Sequence, residues 1–442
     1  MGTGRLRGWG GGLTEPTTIG VDDSSRGYLP GSIAPGGWQL VIGKANIADA
    51  GAHYTADLTF RDAATLMPRA RAPFSPTVLR TGAGWYKGDF HVHSRESGDA
   101  AATFDEIIAL ARARHLDFVV LSDHNTVSQH GLIAAVQPSL PDLLLVRGIE
   151  VTTYAGHGGA LGATAYVDHR IGLDGRTAAQ LIRDVNAQGG LFIVNHPALD
   201  LGKACIGCAW RHADTPWPEV GAIEIQTGNY KVGITLFTQP SLDLWDAQLD
   251  AGARLAAVGG SDDHRAGMDT GGSASEIGSP TTLVWADELS EAAILAGVRA
   301  GRTTVALRGP DDPHVELTAI DGDQRLGIGD TATGSSVTVE THVTGGNGQV
   351  LFLVEDGVET AQATVDRDDW TRRFEVPVRP SGSRVRAHLT DGVDPIVVTS
   401  HVWLAYAAPK SGCEVGREGN FGLIMLAMIA GIALISRLRP QR

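Results

Sequence analysis

Short apolar runs alternate with helical stretches from about residue 88 to residue 301. DFVVLS, LLLVRGIEV, LFIVNH, AIEIQ and RLAAVGG have the length and composition of buried strands. This alternation is typical of a parallel α/β sheet or barrel. TFDE, from Thr103, and TVSQ, from Thr126, both fit the capping-box pattern. They predict that helices begin there, directly after strand ends.

The pattern changes on both sides of this region. Residues 1–35 are rich in Gly, Ser, Thr and Pro and predict a flexible lead-in. WQLVIGKANI and HYTADLTF predict short strands between Trp38 and Phe60. Alternating segments such as SSVTVETHV and SRVRAHL, separated by Gly/Asp turns, predict a β-sandwich after about Val305. The predicted divisions are a small β-unit at 36–84, the α/β region at 85–305, the β-sandwich at 306–408 and a linker at 409–420.

The last residues, 421–442, have a membrane-like composition. FGLIMLAMIAGIALI, at Phe421–Ile435, is apolar on every face and precedes three arginines. A buried helix is the alternative, but we expect a membrane or sorting tail with cytoplasmic arginines and the rest of the chain outside. The protein would then be exported, membrane-anchored or on the cell surface. No signal peptide is visible in MGTGRLRGWGGG, which suggests that the start is incomplete.

Composition narrows the choice of partners. The 442 residues predict two or three domains, and the net charge of -14 argues against nucleic acid. Three cysteines, Cys205, Cys208 and Cys413, are too few for a disulfide scaffold. One CxxC cannot complete a zinc site and lacks a redox context, so a local Cys205–Cys208 disulfide is the leading interpretation.

Histidines and acids cluster where the predicted strands end. Ten of the 15 histidines fall between positions 91 and 264. His91 and His93 share one face of a strand, and Asp262 and His264 would do so if that stretch is extended. Imidazole and carboxylate together suit Zn, Mn or Fe, and Glu150 could bridge two ions. Taken singly, each residue has a structural explanation, such as a Glu150–Arg147 ion pair.

The motifs HVHS, SDHNT, GIEV, NHP and GGSDDH, in this order, resemble the polymerase and histidinol phosphatase (PHP) family of metal-dependent hydrolases, especially its carbaryl-hydrolase-like branch. The resemblance implies a distorted (β/α)7 barrel with two or three divalent metal ions. The family usually has Ser-Asp-Gly where this chain has Ser97-Gly98-Asp99, so Asp99 is the best ninth ligand and Glu96 its competitor. The implied ligands are His91, His93, Asp99, His124, Glu150, His157, His196, Asp262 and His264.

The same motifs predict hydrolysis of a small anionic or ester substrate by a metal-bridged hydroxide. Phosphoesters are favoured, amides or carbamate esters are the alternative, and a non-catalytic, metal-stabilised surface module is a hypothesis of another class. Arg265 and Lys203 could hold an anionic group or be solvated charges, and Asp123 could orient a ligand. His115, His130, His169 and His212 are interpreted as surface residues.

Overall fold

The long strand β1 (Val78–Val92) is the first regular element, and its carboxyl end carries His91, with His93 directly after it. It belongs to a computed structural model that describes residues 6–269 and 274–408. The α/β region continues with strands β2 (Phe118–Leu121), β3 (Leu144–Arg147), β4 (Glu150–Thr153), β5 (Gly156–Leu161), β6 (Leu191–Val194), β7 (Ala222–Thr227), β8 (Ala256–Gly260), β9 (Thr281–Ser290) and β10 (Thr303–Ala306). Its helices are α1 (Phe104–Ala113), α2 (Ser128–Val136), α3 (Ala178–Ala187), α4 (Tyr230–Leu236), α5 (Thr238–Asp250) and α6 (Glu291–Arg299). Single 3-10 turns lie at Gln137–Ser139, Leu173–Gly175, Gly202–Ala204 and Trp217–Glu219.

Two sheets meet at one rim. β1, β2 and β3 pair in parallel in the larger sheet, and β6, β7 and β8 pair in parallel in a five-stranded sheet ordered β4-β5-β6-β7-β8. Two parallel bridges, Val92–Asp263 and His124–Glu150, connect the sheets beyond their strand ends. This arrangement confirms a mixed α/β chain and brings strand ends from both sheets to one place.

The C-terminal region contains strands alone among its described residues. They are β11 (His314–Asp321), β12 (Gln324–Gly327), β13 (Thr331–Gly334), β14 (Ser336–Thr344), β15 (Val350–Glu355), β16 (Val358–Thr364), β17 (Asp369–Pro377), β18 (Ser383–Asp391), β19 (Asp394–Thr399) and β20 (Val402–Tyr406). The four-stranded sheet β12-β11-β14-β17 shares one apolar core with β15, β18, β19 and β20. Strand β10 pairs with β9 on one side and β19 on the other. The predicted boundary at 305/306 therefore falls inside a strand that both regions share.

Several local expectations are wrong. Helix α1 begins with the predicted Thr103–Glu106 capping box, but α2 begins at Ser128 after Val127, which makes no side-chain cap. Thr126 Oγ1 donates to Gly27 O at 3.0 Å and accepts from Ser128 N at 3.1 Å, rather than from Gln129 N as a capping box requires. The two runs between Trp38 and Phe60 form no strand, because no described strand pairs with them.

The expectations for residues 6–31 and for His130 are also corrected. Residues 6–31 are not a detached lead-in, since Tyr28 pairs with Gly8 and this segment packs on the α/β region. His130 is buried, with Nε2 3.2 Å from Gly148 O, and burial lowers its pKa to about 4. His115 is exposed as expected, whereas His169 and His212 are half-buried.

Within residues 6–269 and 274–408, no helix has the length and hydropathy needed to cross a bilayer. The predicted linker and the apolar segment Phe421–Ile435 lie outside these residues.

Buried charge joins α5 to the C-terminal strands. Asp246 Oδ1 and Oδ2 lie 2.5 and 2.8 Å from the two terminal nitrogens of Arg386, whose side chain is 3% exposed. The same carboxylate accepts from Arg384 at 3.3 Å. Removing one partner of a buried pair leaves the other charge uncompensated.

We therefore expect Asp246→Ala to lower the free energy of unfolding by about 3 kcal/mol, measured by urea denaturation. Asp250→Ala is the matched control, because Asp250 pairs with Arg384 but is 62% exposed; it should cost about 1 kcal/mol or less. Equal effects of the two substitutions would contradict the buried-pair argument.

Candidate metal centre

The predicted ligands lie together where strands from both sheets end. His91 lies in β1, His124 follows β2, Glu150 begins β4 and His196 follows β6. The structure brings all nine predicted residues into one group of contacts, and the side chains of six are at most 8% exposed. These nine are His91, His93, Asp99, His124, Glu150, His157, His196, Asp262 and His264. Their roles as metal ligands stay predictions.

The first cluster, position 1, consists of His91, His93, Glu150 and Asp262. The Nε2 atoms of the two histidines are 3.1 Å apart, and Asp262 Oδ1 lies 3.2 and 3.0 Å from them. Glu150 Oε1 lies 3.3 Å from His91 Nε2. Tetrahedral zinc with bonds of about 2.1 Å places its ligand atoms roughly 3.4 Å apart. The spacing of these four donor atoms therefore fits one metal ion.

A second cluster, position 2, shares Glu150 Oε1 with position 1. Glu150 Oε1 lies 3.0 Å from His196 Nε2 and 3.3 Å from His157 Nδ1. Cys208 is close to both histidines, but it is bonded to Cys205, as the CIGC motif predicts. Its carbonyl oxygen is 3.0 Å from His196 Nδ1. Glu150 can thus contribute to two positions, as expected of a bridging ligand.

The third cluster, position 3, consists of Asp99, His124 and His264, with His93 beside them. Asp99 Oδ2 lies 3.3 Å from His124 Nε2 and 3.8 Å from His264 Nε2. The competing residue, Glu96, points elsewhere, because its Oε1 lies 2.5 Å from Arg69 Nη1. The geometry favours Asp99 over Glu96 at this position.

Several donor atoms of these clusters lack good hydrogen-bond partners but suit metal ions. Glu150 Oε2, His157 Nε2 and Asp262 Oδ1 are buried and make no well-oriented hydrogen bond among the described residues, although imidazole nitrogens lie 2.8 Å from Glu150 Oε2 and 3.0 Å from Asp262 Oδ1. Buried polar atoms ordinarily have partners, and the lone pairs of these three atoms are available to a metal ion. Imidazole nitrogens and carboxylate oxygens are the donors that zinc, manganese and iron accept. The residues present therefore fit divalent transition metals.

Burial and neighbouring charges shift the pKa values of two of the donor residues, Glu150 and His93. Burial raises the pKa of Glu150, but the charges of His91, His124 and His157 outweigh it and hold that pKa well below its usual range. Burial, with the charges of His264 and His124, lowers the pKa of His93 to about 3. An ionised carboxylate and a neutral imidazole are the forms that bind metals.

Supporting residues that the sequence did not reveal lie behind the donors. Glu224, in β7, is fully buried, with Oε1 3.3 Å from His91 Nδ1 and Oε2 accepting from His196 N at 2.7 Å. Ser97 Oγ lies 2.9 Å from His93 Nδ1. Such partners fix ring orientation and tautomer. Glu224 was missed because AIEIQ reads as a core strand, and the only signal is one acid within an apolar run.

Asp123 is buried behind the donors, whereas Arg265 is exposed. Asp123 accepts backbone N–H bonds from Ser94 and Ser97 at 2.7 and 3.1 Å and so fixes the loop after β1; it also accepts from Ser97 Oγ, which contacts His93 Nδ1, so the orienting role stays a prediction. Burial raises the pKa of Asp123 to about 7. Arg265 points its guanidinium at Asp269, 3.5 Å away, and is largely exposed. Lys203 is exposed as well.

Backbone conformation at the donors also departs from the simple expectation. Asp262 has φ 56°, so the stretch to His264 is a turn and not extended strand. His196 has φ 27°, also in the left-handed region. Such conformations cost about 1–3 kcal/mol each and persist where surrounding contacts hold them. The alternative Glu150–Arg147 pair is absent among the described residues, because Arg147 pairs with Glu291 at 2.6 Å.

Comparisons with known proteins give distant structural likenesses alone. No protein-family model and no curated protein matches this chain. It is similar to a two-domain protein from Bacteroides vulgatus containing a predicted PHP-like metal-dependent phosphoesterase, at 19% identity and TM-score 0.40, over 76% of this chain and 100% of that one. It is also similar to a protein from Bifidobacterium adolescentis that is named, provisionally, a metal-dependent phosphoesterase, at 15% identity and TM-score 0.31, over 41% of this chain and 89% of that one. Neither TM-score reaches 0.5, so neither likeness assigns a fold or an activity to this chain.

Glu150→Gln should lower the metal content by more than one ion per chain, because one carboxylate contacts donors of positions 1 and 2. Elemental analysis after dialysis against buffered zinc measures this loss. Glu219→Gln is the control, since Glu219 pairs with Arg183 outside the site. Full metal content in Glu150→Gln would remove the bridging role.

Asp99→Ala should lower the metal content by about one ion per chain, because it removes the carboxylate of position 3 and leaves positions 1 and 2 complete. The same elemental analysis applies, with the exposed Asp105→Ala as control. An unchanged ion count in Asp99→Ala would limit the protein ligands to eight.

Proposed function

We propose that the protein is a metal-dependent hydrolase of the PHP family, in its carbaryl-hydrolase-like branch, with phosphoesters as substrates. The convergence of six imidazoles and two further carboxylates, Asp99 and Asp262, around Glu150 carries this proposal. The proposed architecture is a distorted (β/α)7 barrel followed by a β-sandwich. Parallel pairing in β1-β2-β3 and β6-β7-β8 supports the barrel, and the shared core of the C-terminal sheets supports the sandwich.

The side chains divide the work of binding and catalysis. Two or three divalent ions would supply electrophilic charge and lower the pKa of bound water. Glu150 would contribute a ligand to positions 1 and 2 together, while Glu224 keeps the imidazole of His91 oriented. The side chains of Asp99, Asp262 and His264 are 45%, 28% and 23% exposed, whereas those of the other donors are nearly inaccessible. Substrate would approach from this exposed side.

The charge of the loaded centre favours anionic substrates. Its three carboxylates carry three negative charges, and its six histidines bind metal in the neutral form. Two divalent ions bring four positive charges and three bring six, so the nine ligand residues and their ions carry a net positive charge before the supporting Glu224 and a bound hydroxide are counted, and the excess is secure with three ions. A positive buried site attracts a phosphoryl group more strongly than a neutral carbamate or amide. Phosphoesters are therefore the first choice, with mono- and diesters both open.

The setting of the protein is a separate proposal that rests on sequence. The apolar segment Phe421–Ile435 and its following arginines support anchoring at a membrane or cell surface after export. The net charge of -14 supports a small-molecule substrate rather than nucleic acid.

The zinc- or manganese-loaded protein should hydrolyse aryl phosphomonoesters or phosphodiesters with kcat/KM at least about 100-fold above its value for aryl carbamates, since the charge argument asks for roughly 3 kcal/mol of discrimination. Parallel assays of the three substrate classes measure this. His196→Ala should abolish turnover, and His115→Ala, far from the donors in an exposed turn, should not. Preference for carbamates would select the alternative hydrolase, and tight metal binding without turnover would indicate a binding module.

A further inference from the structure

The N-terminal segment, residues 6–31, is folded on itself before it reaches the α/β region. Leu29 N donates to Arg7 O at 2.7 Å and Trp9 N donates to Gly27 O at 3.3 Å. The Trp9 ring lies 5.8 Å from the ring of His124, between centroids. This segment therefore reaches position 3 of the metal centre.

Arg26 binds the loop that carries Asp99. Its Nη1 donates to Ser97 O and Ala100 O at 3.2 and 2.6 Å, and its Nη2 donates to Gly98 O at 3.0 Å. Arginine has five donors in one rigid plane, so a single side chain can fix several carbonyls at once. Glu15 Oε1, 2.7 Å from Arg26 Nε, holds the guanidinium from the other side.

The backbones of the segment and the loop are in direct contact. A Cβ atom on Gly98 would lie 2.0 Å from Gly11 O. A Cβ atom on Gly12 would lie 2.9 Å from Asp99 Cβ, and Gly12 has φ 78°. Glycine at both positions permits this approach, which presses the segment against Asp99 from behind.

Buried charge attaches the segment to the same loop. Asp23, 4% exposed, accepts from Arg69 Nε at 2.8 Å, and Arg69 Nη1 lies 2.5 Å from Glu96 Oε1. Glu96 is 3% exposed. Two buried carboxylates that share one guanidinium keep the segment and the loop together, because separating them would strand a buried charge.

Asp99 itself has little else to hold it. Its side chain is 45% exposed, and its ion pairs within the described chain are those with His124 and His264. An exposed carboxylate on a glycine-containing loop samples several positions unless its backbone is fixed. Asp123 holds the N–H of Ser97, and Arg26 holds the carbonyls of Ser97, Gly98 and Ala100, which flank Asp99 on both sides.

We propose that residues 6–31 complete position 3, with Arg26 as the positioning residue that holds Asp99 in place as a metal ligand. This proposal rests on the proposed metal centre and goes beyond it, because it makes the affinity of one ion depend on a segment outside the predicted barrel. Positions 1 and 2 have no ligand on the loop from Ser97 to Ala100, so their ions should be unaffected.

The test measures zinc affinity, not turnover, in the full chain. Zinc is titrated in chelator-buffered solution into the wild type, Arg26→Ala, Asp99→Ala and the double variant. Arg26→Ala should weaken the weakest zinc by about 10-fold or more, the scale seen when support of a ligand is lost. In the Asp99→Ala background the same substitution should change the remaining affinities by less than about twofold. Arg26→Lys should fall between wild type and Arg26→Ala, since lysine keeps the charge without the planar fork. Arg61→Ala, on an exposed stretch, is the control and should match wild type.

The outcomes separate this inference from the proposed function. Wild-type protein without zinc would overturn both. Zinc binding that is equally weakened by Arg26→Ala with and without Asp99 would reduce Arg26 to a general structural role and overturn this inference alone. Unchanged affinity in Arg26→Ala, or an Asp99→Ala variant indistinguishable from wild type, would also overturn it while leaving positions 1 and 2 intact.

Discussion

The buried carboxylate of Glu150 is the charge on which the rest of the centre depends. It has no measurable solvent exposure and lies within 3.3 Å of nitrogens from four histidines, His91, His124, His157 and His196. A buried anion must be compensated or it becomes protonated. Burial opposes the charged form of His91 and His124, but the charge of Glu150 outweighs it and raises the pKa of both rings, so imidazolium ions compensate the carboxylate in part. The low pKa of His93, caused by burial and by its charged neighbours, illustrates the repulsion. Divalent ions held by these residues would compensate the carboxylate and leave the imidazoles neutral.

This constraint explains why so many polar groups lie behind the donors. Asp89 is fully buried and accepts from His91 N, Ser261 N and Gly278 N at 2.7–3.0 Å. It thereby ties β1 to the turn that carries Asp262. Burial raises the pKa of Asp89 to about 6, so its backbone N–H donors are needed to keep it ionised. The left-handed backbone at His196 and Asp262 is held by the same network, in which Glu224 accepts from His196 N. The donors converge because the acids behind them, Asp89 and Glu224, fix the backbone and the rings that carry them.

The sequence predicted the donors because their chemistry coincides with a local pattern. His91, His124 and His196 each follow an apolar run, and a strand end is recognisable from the residues on either side of it. Glu224 and Asp89 lie inside apolar runs, where local pattern cannot distinguish a supporting acid from an ordinary strand residue. The error at Thr126 has a similar cause. Its capping-box pattern is intact, but the side chain of Gln129 donates to Gly148 O at 2.8 Å, a contact that the local pattern does not encode. Strand propensity between Trp38 and Phe60 failed because a strand needs a partner, which local sequence does not specify.

The most consequential miss concerns residues 6–31, where composition predicted flexibility. Glycine and serine do favour loops, but they also permit close backbone contact. Gly11 and Gly12 lie where any side chain on Gly98 or Gly12 would collide with the facing chain. This contact gives a physical reason for the order Ser97-Gly98-Asp99. Ser97 is required behind His93, and Gly98 is required against Gly11. The acidic residue can therefore occupy only the next position along the loop, which is where Asp99 faces His124 and His264. The departure from the expected motif order therefore follows from a contact with a segment about 86 residues earlier in the chain. The motif itself cannot encode that contact.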